Sequence, residues 1–322
     1  MKFDNTNSWQ ILKEQAKRIK NNPDFNQVNK SLVLDFNGLK FDFTNQIFDG
    51  RVLTNLVALT EETNLAKAMT DLLAGEQVNN SEKQPALHIG LRHSEVARET
   101  GQYDSVSARL KKMVELERSI NEGNRRGFSQ KPFTDIVQIG IGGSHLGSKF
   151  LIEALQEHRT GHVRIHFVSN VDPNNFLETS KKLNPETTLF VVVSKSFNTI
   201  ETAVNFRSAR SWFSERTNES QEFHKHVLAA TENVEAAKML GIQENSIFKI
   251  PKAVGGRYSV WSASSLAAMI YLGSNTFHRF LKGAAKADQH FIDEKNKLKN
   301  IPIASALFSI WNRNFLGSQS HA

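Results

Sequence analysis

Cysteine is absent from the 322-residue sequence, which excludes disulfides and thiolate metal sites and leaves a reducing compartment open. Long apolar runs are missing as well: no stretch reaches the roughly 18 apolar residues that a membrane-spanning helix needs, so no membrane partner is expected. The N-terminus, MKFDNTNSWQILKEQAKRIK, lacks the apolar core and small-residue cleavage site of a secretory leader, and a cytoplasmic location is the expectation. Tyrosine is scarce, 3 against 22 Phe, which casts the aromatic rings mainly as core filler. Internal repeats and low-complexity linkers are lacking. The net charge of +7 is not concentrated anywhere: Lys111-Lys112, Arg125-Arg126 and Lys181-Lys182 are the densest basic groups, short and without interleaved aromatics. This reads as a solvated basic surface with no nucleic-acid partner. An anionic small molecule is the other partner class that the balance allows.

Apolar residues make up 39% and charged residues 23% of the chain, an ordinary globular composition. The length suits two domains. Residues 8–21 place Trp9, Leu12, Ala16 and Ile19 on one helical face. Residues 31–44 alternate around Asn37-Gly38, the signal of a hairpin with a type I′ turn. Helical patterns follow near 51–58 and 61–73, then a polar loop over 75–85, then a long helix from about 104 to 122 closed by Gly123. Beyond this point apolar runs of strand length (136–141, 164–168, 189–194, 227–230, 247–250) alternate with helices (146–155, 174–183, 199–213, 234–240). Helices are expected to continue over 259–272 and 277–291. Strands apolar throughout and separated by helices imply a parallel sheet covered on both faces. The expected fold class is therefore α/β, a doubly wound five-stranded parallel sheet flanked by helices. It occupies 121–291, preceded over 1–120 by a mostly helical extension with a β-hairpin and followed by 292–322.

Ligands of such sheets sit beyond the carboxyl ends of the strands, near the point where strand order reverses. Three loops there can carry chemistry. Gly140-Ile141-Gly142-Gly143-Ser144 follows a strand and opens a helix, so its backbone can approach an anion closely. It lacks the Gly-Lys-Ser/Thr of a nucleotide P-loop, and His145 stands where a dinucleotide loop has its third glycine. A plain tight turn is the alternative. Ser194-Lys195-Ser196-Phe197-Asn198-Thr199 gathers three hydroxyls and a lysine before a helix, a set suited to a phosphate monoester. Helix capping is the alternative, though one hydroxyl would suffice for it. Val254-Gly255-Gly256-Arg257 brings two glycines and a permanently charged fork to the same end of the sheet. Arg257 could hold an oxyanion there or stabilise an enolate, or it could pair with a carboxylate for structure.

The histidine pairs His162/His166 and His224/His226 have no carboxylate at ligand spacing, so no metal is expected. No G-x-S-x-G elbow is present for a serine nucleophile. No acidic residue lies about 20 positions after the glycine loop to grip a nicotinamide ribose: Glu157 is too early and Asp172 lies beyond the next strand.

Taken together and in order, DIVQIGIGGSHLG (135–147), NPETTLFVVVSKSFNTIET (184–202) and VGGRYSVWSA (254–263) resemble the phosphoglucose isomerase family. Weaker matches lie in GEQVNNSEKQPALHIGLR (75–92), RGFSQKPFTDI (126–136), FVSNVDP (167–173) and IPIASALFSIWNRNFLG (301–317). The resemblance implies a sugar-isomerase-type domain over 121–291. It also implies interconversion of glucose 6-phosphate and fructose 6-phosphate through a cis-enediol, without cofactor or metal. Ser194, Ser196 and Thr199 would hold the phosphate, helped by the N–H groups of Lys195 and Ser196. Gly143, Ser144 and Gly256 would line the substrate pocket, Arg257 would stabilise the enediolate as the catalytic residue, and Glu201 would support the phosphate loop. A homodimer acting on a phosphorylated hexose is implied too.

The family's base, usually within Glu-Ser-Asn-Gly-Lys, its ring-opening histidine from across the dimer and its C-terminal lysine have no counterpart motif here. Residues 292–322 are accordingly expected to begin a connecting helix toward a second sheet domain, in a chain truncated before those residues. Turnover by 1–322 alone should be weak or absent, and the apolar segment 303–315 should make the chain poorly soluble or partner-dependent. Other departures are His145 for a usual aspartate, Ile200 for a glutamine, Gln84-Pro85 for Arg-Ala, and Ile250-Pro251-Lys252 for Trp-Asp-Trp. A non-catalytic sugar-phosphate-binding module, or an inactive fragment, is the alternative function.

Overall fold

The structure, a computed structural model, describes residues 3–22, 25 and 32–319. Ser31, the first residue of the expected hairpin, and the termini 1–2 and 320–322 lie outside the described residues. Packing divides the chain into two compact units, 1–73 with 286–322 and 74–285. The expected limits at 120/121 and 291/292 follow sequence pattern, whereas these limits follow contact.

The first unit is built from α1 (Asn7–Lys20), the antiparallel hairpin β1 (Val33–Phe36) and β2 (Leu39–Asp42), α2 (Gly50–Glu62), α3 (Leu65–Ala74) and a C-terminal helix, Ile301–Ile310. Asn37 and Gly38 both take positive φ, 52° and 80°, as a type I′ turn requires. Leu12, Ala16 and Ile19 of α1 pack with Leu56 of α2 and with Ile303, Leu307 and Trp311. The fully buried Trp311 donates its indole N–H to Ile47 O at 2.7 Å. The apolar segment 303–315 thus supplies much of this unit's own core.

The second unit begins with the short α4 (Ser94–Glu99), which no local pattern announced, and α5 (Tyr103–Asn121), closed by Gly123 at φ 70°. Strands and helices then alternate: β3 (Asp135–Ile139), α6 (Gly143–Leu155), β4 (Arg164–Val168), α7 (Pro173–Ser180), β5 (Thr188–Val193), α8 (Ile200–Thr217), β6 (Val227–Thr231), α9 (Val234–Met239) and β7 (Ile247–Lys249). The five strands are all parallel, in the order β4-β3-β5-β6-β7. Successive side chains of β5 serve opposite faces. Leu189, Val191 and Val193 join Met113 of α5 and Leu151 of α6 on one side, while Phe190 and Val192 join Phe176 of α7 and Phe213 of α8 on the other. The central strand β5 is buried along its whole length and apolar after Thr188, because neither of its faces meets water.

One expected helix is corrected. Residues 259–272 are not continuously helical: 3₁₀ turns span Gly256–Trp261 and Ala263–Ser265, and the α-helix α10 covers only Leu266–Leu272. Ser262 is extended at φ −114°, and the hydroxyls of Ser262 and Ser264 both bond back to Ser259 O. Serine hydroxyls compete with the helical ladder for backbone carbonyls, and here they win. Gly273 at φ 88° then separates α10 from α11 (Ser274–Asp293).

At the amino end of the sheet Asp135, 1% exposed, receives two bonds from Arg164 at 2.8 and 2.7 Å and faces His166 Nε2 at 2.9 Å. Burial alone would raise its pKa, but the bonds from His166, Arg164 and Thr134 and the Arg164 charge outweigh it and hold the carboxyl well below the usual range. His226 is fully buried, with Nδ1 2.8 Å from Thr188 O and Nε2 accepting from Phe128 N–H at 3.0 Å. Burial pushes its pKa down, so the ring stays neutral.

Both groups tie stability to pH in the same direction, because in each case the unfolded chain binds the proton more readily. The His226 contribution is complete above the unfolded histidine value of about 6.5 and declines as pH falls below it. The Asp135 contribution is complete above about 3.9 and is lost as pH falls through the lower folded value. Urea midpoints should therefore hold from pH 8 to 7, fall toward pH 5 and fall again below 4. Asp135→Asn should cost about 1.5–3 kcal/mol at pH 7, the value of bonds to a charged group, and make the second decline shallower.

Candidate functional site

In the strand order β4-β3-β5 the sheet's winding reverses between β3 and β5. The loops after these two strands diverge there and leave a crevice at their carboxyl ends. A cleft of about 490 Å³ lies at that place. Gly143, Ser144, Ser194, Lys195, Ser196, Thr199 and Gly256 all line it, so all three glycine- and hydroxyl-bearing loops meet there. Arg257 and Glu201 do not line it. Arg257 is exposed in the 3₁₀ turn Gly256–Trp261, and Glu201 is half-buried in the first turn of α8.

Close backbone approach joins the first and third loops. A Cβ on Gly143 would lie 2.5 Å from Gly256 O, and one on Gly140 would lie 2.7 Å from Ser144 O. Gly142 takes φ 59°, the left-handed turn that starts α6. Gln138, buried inside β3, donates to Ser144 O at 2.6 Å and fixes the loop from beneath.

The turn between β5 and α8 is shaped by its carbonyls. Lys195 O accepts from Glu232 N–H at 2.9 Å and from Thr231 Oγ1 at 3.0 Å, and Ser196 O accepts from Asn233 Nδ2 at 3.3 Å. Since C=O and N–H of one trans peptide point opposite ways, the Ser196 and Phe197 N–H groups face away from β6, and neither has a backbone acceptor. Phe197 holds φ 60°, unusual for a bulky residue, while its ring packs on the core beside α8. Thr199 is the N-cap residue of α8 yet makes no capping bond; its hydroxyl lies 3.4 Å from Ser194 Oγ. Capping is therefore not what these hydroxyls do.

Electrostatically the cleft is mixed. Lys195 Nζ stands 3.9 Å from the carboxylates of both Glu82 and Glu232. Beside the glycine loop, burial and then the charge of Lys149 push the His145 pKa down, and its ring packs on Phe167 at 5.0 Å. Arg257 makes no ion pair among the described residues, so the structural pairing weighed for it is not found. His166 and His226 are engaged with Asp135 and with backbone, respectively.

Glu82, Gln84, Thr202, Glu232 and Lys252 also line the cleft without having been singled out as site residues. Thr202 follows Thr199 by three positions, one helical turn, and the 231–233 loop was among those following a strand; either could have been read locally. Glu82 and Gln84 could not, because they arrive from a distant segment held to the third loop by Leu87 N–H to Ala253 O at 2.8 Å.

Comparison with known proteins agrees with this geometry. The family model described as phosphoglucose isomerase matches residues 42–322. A glucose-6-phosphate isomerase of Pseudomonas fluorescens is 38% identical over 98% of the chain, and one of Buchnera aphidicola is 36% identical over 98%. The chain spans 58% and 59% of these relatives' lengths. A crystal structure of a glucose-6-phosphate isomerase from Chlamydia trachomatis superposes with a TM-score of 0.81 at 29% identity, covering 98% of this chain and 61% of that one. The order of the loops, their meeting at the strand-order reversal and these likenesses together place the chain in the phosphoglucose isomerase family.

Proposed function

We propose that the cleft binds the phosphate of a phosphorylated hexose, and that the reaction it serves is the aldose–ketose interconversion of glucose 6-phosphate and fructose 6-phosphate. The observation that carries the reading is the convergence of seven residues from three loops on one cleft, with the hydroxyl of Thr199 unused as a cap. Ser194, Ser196 and Thr199 supply hydroxyl donors, and the N–H groups of the turn and of the α8 start add partial positive charge. Gly143, Ser144 and Gly256 let the backbone close on the sugar. Arg257, charged at every accessible pH, stabilises the enediolate oxygen, and Glu201 supports the phosphate loop. Aldose–ketose conversion moves one proton between C2 and C1 and one between the oxygens, with no net redox change. The carbon-bound proton needs a base, and we assign none of these residues to that step. The family's Glu-Ser-Asn-Gly-Lys segment is not among the 322 residues. A cytoplasmic homodimer belongs to the same reading.

Calorimetric titration checks the phosphate cradle. Fructose 6-phosphate should bind and fructose should not at the same concentration. Ser196→Ala with Thr199→Val should weaken binding by about 10–100-fold, the equivalent of one bond to a charged group, with an unchanged melting temperature. Equal affinity for the unphosphorylated sugar would overturn the reading.

The meeting of the glycine loops gives a second expectation. Gly143→Ala, whose methyl must displace Gly256 O, should weaken binding about tenfold or more. Gly283→Ala, on an open face of α11, should leave it unchanged. Loss in both variants, or in neither, contradicts a role for this close approach.

Turnover separates an isomerase from a non-catalytic sugar-phosphate module. One positioned base contributes about 10²–10⁴ in rate, so a coupled assay of residues 1–322 should record weak or no isomerisation. A rate typical of an enzyme would contradict this.

A further inference from the structure

Four fully charged side chains line the cleft: Lys195, Lys252, Glu82 and Glu232. Lys195 stands 3.9 Å from each of the two carboxylates. Two anions against one cation leave this trio with a net negative charge. A phosphate monoester carries roughly −1.5 to −2 near neutral pH, so the trio by itself would repel it. The start of α8 offers only about half an elementary charge, and His145 is kept neutral by burial and Lys149.

The remaining cation is Lys252. It is exposed, lines the cleft, and makes no ion pair among the described residues. Its backbone position is constrained on both sides. Pro251 fixes φ before it, and Ala253 O after it accepts from Leu87 N–H at 2.8 Å, in the segment that also brings in Glu82 and Gln84. The lysine thus lines the same cleft as Glu82, with its ammonium in no ion pair among the described residues.

We propose that Lys252 is the specificity-determining cation of the cleft: it supplies the charge that admits a dianionic phosphate, and Glu82 opposes it. This rests on the sugar-phosphate reading of the same cleft. Lys195 organises the wall between Glu82 and Glu232, whereas Lys252 sets the charge that an incoming ester meets. Removing either member of the opposed pair shifts affinity in opposite directions, and removing both restores the balance.

Calorimetry with fructose 6-phosphate on the full chain at low and at physiological ionic strength tests this. Lys252→Gln should weaken binding about five- to tenfold at low salt and flatten its salt dependence, since part of the attraction is long-range. Lys252→Arg should retain the affinity. Glu82→Gln should tighten binding a few-fold, and Lys252→Gln with Glu82→Gln should return it to within about twofold of the parent. Melting temperatures identify any variant that misfolds, and the arginine variant then decides. If the parent binds fructose 6-phosphate and Ser196→Ala with Thr199→Val weakens it as expected while Lys252→Gln does not change it, this inference fails and the sugar-phosphate reading stands. If the double charge variant is as weak as Lys252→Gln alone, the charge balance fails as its cause. If the parent does not bind fructose 6-phosphate, the underlying reading fails first.

Discussion

In the turn between β5 and α8 the carbonyl oxygens of Lys195 and Ser196 are held by three donors from the end of β6: Glu232 N–H, Thr231 Oγ1 and Asn233 Nδ2. The backbone donors that this turn can offer an anion follow from that. With the carbonyls fixed on one side, the planar peptides turn their N–H groups to the other. Those groups lack backbone acceptors, and an N–H left without a partner is costly unless water or a ligand supplies one. The left-handed φ of Phe197 is the conformational cost of that geometry, and its ring, seated on the core beside α8, is what holds it. Sequence, packing and site chemistry meet at one residue whose side chain never touches the cleft.

The sheet determines where that turn can matter. The reversal of strand order between β3 and β5 opens a crevice at one end, and the loops after these strands are the ones that line it. Across the crevice the contact of Gly143 with Gly256 O leaves no room for a side chain, so glycine at 143 is a packing requirement. The opposite end of the sheet has a different task. Buried Asp135 is held there by hydrogen bonds from exposed Arg164 and half-buried His166, far along the strands from the cleft. Stability and binding therefore respond to separate substitutions.

Much of this was legible in the sequence because its causes are local. The apolar run of β5, the Asn37-Gly38 turn and the hydroxyl-rich start of α8 all follow from neighbouring residues, and strand-to-helix alternation was enough to imply a parallel sheet. The serine-rich stretch 259–265 was misread as helix because its apolar periodicity is sound. What breaks it is the competition of Ser262 and Ser264 for the Ser259 carbonyl, which periodicity does not register. Glu82 and Gln84 were silent for another reason: their place in the cleft depends on pairing across more than 160 positions of chain, through Leu87 and Ala253. No local pattern encodes such a contact.

The same distinction explains the Ile250-Pro251-Lys252 departure. Seen as sequence, it removes two large aromatics and reverses a charge just before Arg257. In the structure the three residues have separate fates. Ile250 is 3% exposed and joins the core under the sheet, so an apolar contact is preserved. Pro251 precedes the anchored Ala253, and Lys252 enters the cleft wall. The loop beyond is then set by Ser259 Oγ, which donates to Gly256 O at 2.8 Å, and by the approach of Gly256 to Gly143. Neither depends on the missing aromatics. Arg257 leaves this loop exposed and without a carboxylate partner among the described residues. Lys252 and Arg257 thus stand close in one loop as two cations without ion-pair partners among the described residues, the first lining the cleft and the second outside its lining.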